Sequence, residues 1–136
     1  MTDSLTAQQA RTAHFITSLL LEDLDGTWGM TAAPLIFYSA ELRGIVVVPT
    51  GFVTNFASIP SFLWSFLPKR GTHDWAAVLH DAAYEGWLRT EDGQRIHLIK
   101  PLADRLFLEA MVVRGVGKHR RDLMYRAVRR FGKGQY

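Results

Sequence analysis

The stretch from Thr72 to Leu88 constrains this chain more than any other. Read as a helix, it is apolar nearly all round, with Trp75, Ala76, Val78, Leu79, Ala82, Ala83 and Trp87 spread over its circumference. A helix of that kind belongs at the centre of a fold, because no face of it suits water. It also carries His80, Asp81 and Tyr84, which fall within an arc of about 100° together with Ala77 and Leu88. A histidine, a carboxylate and a phenol on a buried helix require partners, since an unsatisfied buried polar group costs about 1–3 kcal/mol and a lone charge more.

The rest of the chain supplies the surroundings. Pro101 suits the first turn of a second helix running to about Arg114, with Gly115 and Gly117 ending it. Met124, Ala127, Val128 and Phe131 recur at three- and four-residue intervals, an apolar stripe opposite a row of arginines, and Gly132 stops that third helix. Upstream, Leu35-Ile36-Phe37-Tyr38 and Ile45-Val46-Val47-Val48 are short β-branched or aromatic runs between Pro34, Gly44, Pro49 and Gly51, as strands of a small antiparallel sheet would be. Ser18 to Leu21 suits an earlier strand, while Ala7 to Leu20 equally suits an amphipathic helix. Gly51 to Pro60 mixes glycine, small polar residues and proline, which predicts an irregular connection in which Thr54, Asn55 and Ser58 support the neighbouring cluster through hydrogen bonds. Phe62, Leu63, Trp64, Phe66 and Leu67 follow, either as core under the helices or as an exposed lipid-facing patch. With 136 residues there is room for one core and not two. The expectation is a single α+β domain over 1–136, mainly β and loop over 1–60 and mainly helical over 72–132.

Asp104 lies in the first turn of the second helix, and Phe107, Leu108 and Met111 follow it at core spacing. Packed antiparallel against the first helix, it can accept the proton of one nitrogen of His80 and leave the other free as a base. Asp81 is then available to bind a cation through oxygen. The competing reading of the same residues is a structural network in which carboxylate and phenol simply satisfy the histidine.

His80-Asp81-Ala82-Ala83-Tyr84 and Ala103-Asp104-Arg105-Leu106-Phe107 resemble the His-Asp-x-x-Tyr and Asp-x-x-Phe signatures of secreted, bacterial and parvoviral phospholipases A2. The ending from Met124 to Gly132 is also similar to the closing helix of the bacterial members. The resemblance implies a phospholipase-like helical half, with His80 as general base activating water, Asp81 holding Ca2+, Asp104 orienting the histidine and Tyr84 steadying the network. Over nearly the whole chain, the pattern Val48-Pro49-x-Gly51-Phe52-x-Thr54-x-x-Ala57-Ser58-Ile59-Pro60, then Ala77-Val78-x-His80-Asp81-x-x-Tyr84 and Ala103-Asp104-x-x-Phe107, resembles a family of small uncharacterised bacteriophage and prophage proteins. That implies a phage origin and a place in the virion or the host bacterial cytoplasm. Two departures stand out. The phospholipases have a glycine-rich loop before the catalytic helix whose carbonyls complete the calcium shell, whereas Pro60 to Gly71 is bulky and nearly free of glycine. Position 55, usually aspartate in the phage family, is Asn55, which keeps hydrogen bonding and loses the charge.

Other chemistry finds less support. There is no cysteine, hence neither a disulfide framework nor a thiolate metal site. His73 lies two turns before His80, about 11 Å along the axis and too far for both to bind one ion. No His-Glu-x-x-His pattern or glycine-rich phosphate loop occurs, and His14, His97 and His119 have no partner by spacing. The opening residues lack the features of a signal peptide, and no apolar run approaches the roughly 20 residues that span a bilayer. The net charge of +3 is uneven, with Lys118, Arg120, Arg121, Arg126, Arg129, Arg130 and Lys133 crowding the end of the chain against Asp122 alone. Either this is a solvated helix face or it meets an anionic surface, for which Arg126, Arg129, Arg130 and Lys133 are the candidates. Together with the resemblances, which imply a phage protein and a lipid substrate, this gives host envelope lipid or phage virion proteins as the expected partners, with no sequence-specific nucleic acid. The functional expectation is a hydrolase of lipid esters at the cell envelope. Its alternative is a non-enzymatic virion, tail or assembly protein whose polar cluster is structural.

Overall fold

The computed structural model of the chain describes residues 12–24, 29–54 and 73–132. Six short strands precede three helices, in the α+β order expected. The strands are β1 (His14–Phe15), β2 (Leu21–Asp23), β3 (Gly29–Thr31), β4 (Leu35–Ser39), β5 (Gly44–Val48) and β6 (Val53–Thr54). They form two three-stranded antiparallel sheets, β1-β4-β5 and β2-β3-β6, where the sequence had suggested one. The reason is non-local pairing. β4 and β5 close as a hairpin in the register Phe37 opposite Val46, but β4 takes β1 on its other edge, and β3 lies between β2 and β6. Alternation along β4 and β5 turns Leu35, Phe37, Val46 and Val48 into the core. Residues 14–20 are not helical: His14–Phe15 is a strand, and β2 starts only at Leu21.

The helices are α1 (Asp74–Tyr84), α2 (Lys100–Val113) and α3 (Lys118–Phe131). Every residue of α1 except Trp75 is buried, as its all-round apolarity demands. Thr72, where the helix was expected to begin, lies outside the described residues; His73 takes the N-cap position with no side-chain capping bond. Asp74 in the first turn complements the positive end of the helix dipole. The helix ends at Tyr84 and not at Leu88, because Gly86 takes a positive φ of 73° and turns the chain out. Arg89 then exchanges both backbone hydrogen bonds with Val47, at 2.8 and 2.9 Å, lacing this segment to the edge of β5. Leu88 remains fully buried outside the helix.

Pro101 lies in the first turn of α2, where its missing N–H costs nothing. Consecutive helices run antiparallel, so the C-terminal half of α1 and the C-terminal end of α3 both meet the first turn of α2. The sheets attach to the helices through Phe15, edge-on to Trp75 at 5.2 Å, and through Glu109 of α2, which reaches the β4–β5 hairpin. Among the described residues, no helix is long and apolar enough to cross a membrane.

Candidate functional site

The site begins with the antiparallel meeting of α1 and α2. His80 is completely buried, stacked on Phe107 at 4.5 Å between ring centroids and flanked by Tyr84 at 4.1 Å. Asp104, also completely buried, faces it, with His80 Nε2 and Asp104 Oδ1 2.8 Å apart. The same oxygen accepts the hydroxyl proton of Tyr84. An ionised carboxylate can only accept, so Nε2 carries the hydrogen. The other ring nitrogen, Nδ1, is buried and has no hydrogen-bond partner among the described residues. The pair therefore presents an imidazole held by one nitrogen, with the lone pair of the other uncommitted.

The second oxygen of Asp104 is equally occupied. Oδ2 accepts from Lys100 Nζ at 2.6 Å and from Arg129 Nη1 at 3.0 Å. Lys100 also donates to the last carbonyls of α3, Val128 at 2.6 Å and Arg129 at 3.1 Å, placing a cation at the negative end of that helix. Burial alone raises the pKa of Asp104, but hydrogen bonds from His80, Lys100 and Tyr84 outweigh it and hold the carboxyl at about 2. The same contact, led by its hydrogen bond, raises the pKa of Arg129. Gly132 closes this corner: a Cβ there would lie 2.5 Å from both Tyr84 Oη and the carbonyl of Val128.

Asp81 points elsewhere. It is 6 % exposed, and its Oδ2 accepts the hydroxyl proton of Thr54 at the end of β6. Its charge also contributes, after burial, to raising the pKa of Glu85. Calcium takes six to eight oxygen ligands. Asp81 and Thr54 supply few of these, and among the described residues no group of three or more His, Asp or Glu side chains is placed to hold a metal.

The structure thus brings His80, Tyr84 and Asp104 into one network and sets Asp81 beside it with Thr54. Asn55, Ser58 and Lys133 lie outside the described residues, as does the aromatic segment from Phe62 to Leu67. Arg126 and Arg130 face solvent. Arg129, expected with them on an anion-binding surface, instead turns its guanidinium inward to Asp104, because that buried carboxylate lies within its reach across the α2–α3 contact.

Two charged residues escaped the sequence reading, one in the network and one at the β4–β5 hairpin. Lys100 was legible in principle, standing four residues before Asp104 on the same helix. Glu109 was signalled as the one charge within the apolar run from Leu106 to Val113. It is completely buried and accepts from Ser39 Oγ at 2.6 Å and from the backbone N–H groups of Ala40 and Glu41 at 2.9 and 3.0 Å. Burial pushes its pKa up, against the lowering effect of these hydrogen bonds.

A family model described as a protein of unknown function (DUF1353) matches residues 30–128, which takes in β4, β5, β6 and all the residues of the network except Arg129 and Gly132. No curated protein and no solved structure matches the chain.

Proposed function

The chain belongs to the family of proteins of unknown function DUF1353, and on that premise we propose that it is a hydrolase of lipid esters, acting at the cell envelope, with His80 as its general base. The observation that carries this reading is the uncommitted Nδ1 of a histidine whose Nε2 is fixed by a buried, ionised aspartate. A general base needs one lone pair aimed at its substrate and a fixed partner on the far side of the ring. In the proposed step, Nδ1 takes a proton from water as the oxygen of that water attacks the ester carbonyl. The C–O bond to the alcohol then breaks, and the Nδ1 proton passes to the departing alkoxide, giving acid, alcohol and neutral His80. Asp104 steadies the imidazolium formed in between, while Tyr84, Lys100 and Arg129 hold Asp104 in place. No step is routed through a cation.

A second reading takes support from the burial itself. With His80 wholly enclosed and Asp104 accepting four donors, the same cluster suits a network that pins three helices together in a non-enzymatic phage virion, tail or assembly protein.

The two readings part on one experiment. The purified protein and its His80→Asn variant are given mixed phospholipid vesicles, with calcium or with a chelator, and fatty-acid release is measured. Release lost in the variant supports the hydrolase, and the chelator arm tells whether a cation takes part. No release under any condition, with His80→Asn lowering the melting temperature, overturns it in favour of the structural role.

A further inference from the structure

With Arg129 withdrawn to Asp104, the outer face of α3 is a different surface from the one charge counting outlined. His119, Leu123, Arg126 and Arg130 follow one another at intervals of four, three and four residues. They therefore share an arc of about 60° along some 16 Å of helix. All four are exposed. Asp122 is the one acid on α3, and it is paired with Lys118 at 3.2 Å. Among the described residues neither Arg126 nor Arg130 has an ion-pair partner. One apolar side chain accompanies these unneutralised cations. Leu123 is 40 % exposed in the middle of the stripe.

We propose that this face of α3 docks the protein on an anionic phospholipid bilayer, Arg126 and Arg130 meeting headgroup phosphates while Leu123 enters the acyl boundary. A convex helix face matches a flat surface along its whole length. An exposed leucine at its centre gains from acyl chains and nothing from a sugar-phosphate backbone. Arg130 directly follows Arg129, whose guanidinium reaches Asp104, so the docking face and the His80 network share α3. The inference deepens the lipid-ester reading and rests on it for its purpose, but the docking is measurable without any hydrolysis.

Vesicles of ether-linked phosphatidylglycerol and phosphatidylcholine contain no ester to cleave. Flotation of the intact protein with them is expected to rise with the phosphatidylglycerol fraction and to fall with added salt. Arg126→Ser with Arg130→Ser is expected to weaken binding by roughly ten- to thirtyfold, two cations near an anionic surface being removed. Leu123→Ser is expected to weaken it severalfold with an unchanged melting temperature. Equal binding to pure phosphatidylcholine, or unaltered binding by the arginine variant, overturns the proposal. So does binding to duplex DNA or polyglutamate that is as tight at the same ionic strength and indifferent to Leu123→Ser. Failure here leaves the hydrolase experiment untouched, and failure of hydrolysis leaves docking to ether lipids untouched.

Discussion

Replacing Asp104 by Asn changes the network by one charge at nearly constant shape. In the folded protein four donors converge on this carboxylate, and its pKa lies at about 2 against 3.8 for the free group. That difference is worth about 2 kcal/mol to the folded state once the carboxyl is ionised. An amide has one oxygen for those four donors, and its best orientation turns that oxygen toward the buried His80 and Tyr84. Lys100 and Arg129 then face an N–H2, but with side chains 21 % and 38 % exposed they recover part of their hydration. The expected loss at pH 7 is therefore roughly 2–4 kcal/mol, short of what a fully enclosed broken pair costs. For a domain of this size that corresponds to a fall of roughly 6–15 °C in melting temperature.

The pH dependence distinguishes this cause from general damage to the core. A folded-state pKa below the unfolded value stabilises above about 3.8, and the contribution is lost as pH falls through about 2. Denaturant unfolding of wild type and Asp104→Asn from pH 7 to pH 2.5 should thus show a constant gap down to about pH 4, narrowing below it. A gap that stays constant to pH 2.5, or one smaller than about 1 kcal/mol at pH 7, would refute the assignment of Asp104 as the ionised centre of the site.

Other perturbations test neighbouring contacts. Gly132→Ala has an allowed backbone, φ −65° and ψ 142°, so its expected cost of about 1–3 kcal/mol comes from crowding Tyr84 Oη and the Val128 carbonyl. Tyr84→Phe should relieve part of that cost, and a double-mutant cycle with no coupling would show that the hydroxyl is not the obstacle. Glu109→Ala leaves Ser39 Oγ and two backbone N–H groups without their acceptor and should cost about 3 kcal/mol or more by chemical denaturation. Because burial raises the pKa of Glu109, the folded state disfavours its charge, so Glu109→Gln should gain on wild type as pH rises above 4.5; a pH-independent difference would contradict this. Thr54→Val removes the hydroxyl donated to buried Asp81 and should destabilise by about 1–3 kcal/mol in the same assay, with no change indicating that Asp81 is satisfied without it.

How much of this was legible in the sequence follows from the range of each interaction. The arc shared by His80, Asp81 and Tyr84 is set by helical periodicity within a few residues, and so is the four-residue step from Lys100 to Asp104. An all-apolar helix with polar residues on it had to be central and had to find partners, and the core spacing after Asp104 pointed to one of them. The strand runs were equally local, which is why the α+β order could be read in advance.

Pairing across the chain could not be read that way. The split of the strands into two sheets depends on β1 finding β4, and the early end of α1 on Gly86 releasing Arg89 to the edge of β5. On a helical wheel Arg129 belongs with Arg126 and Arg130, and sequence alone placed all three on one surface. A buried carboxylate on another helix drew one of them inward, because leaving that charge uncompensated costs more than holding a single arginine side chain in place.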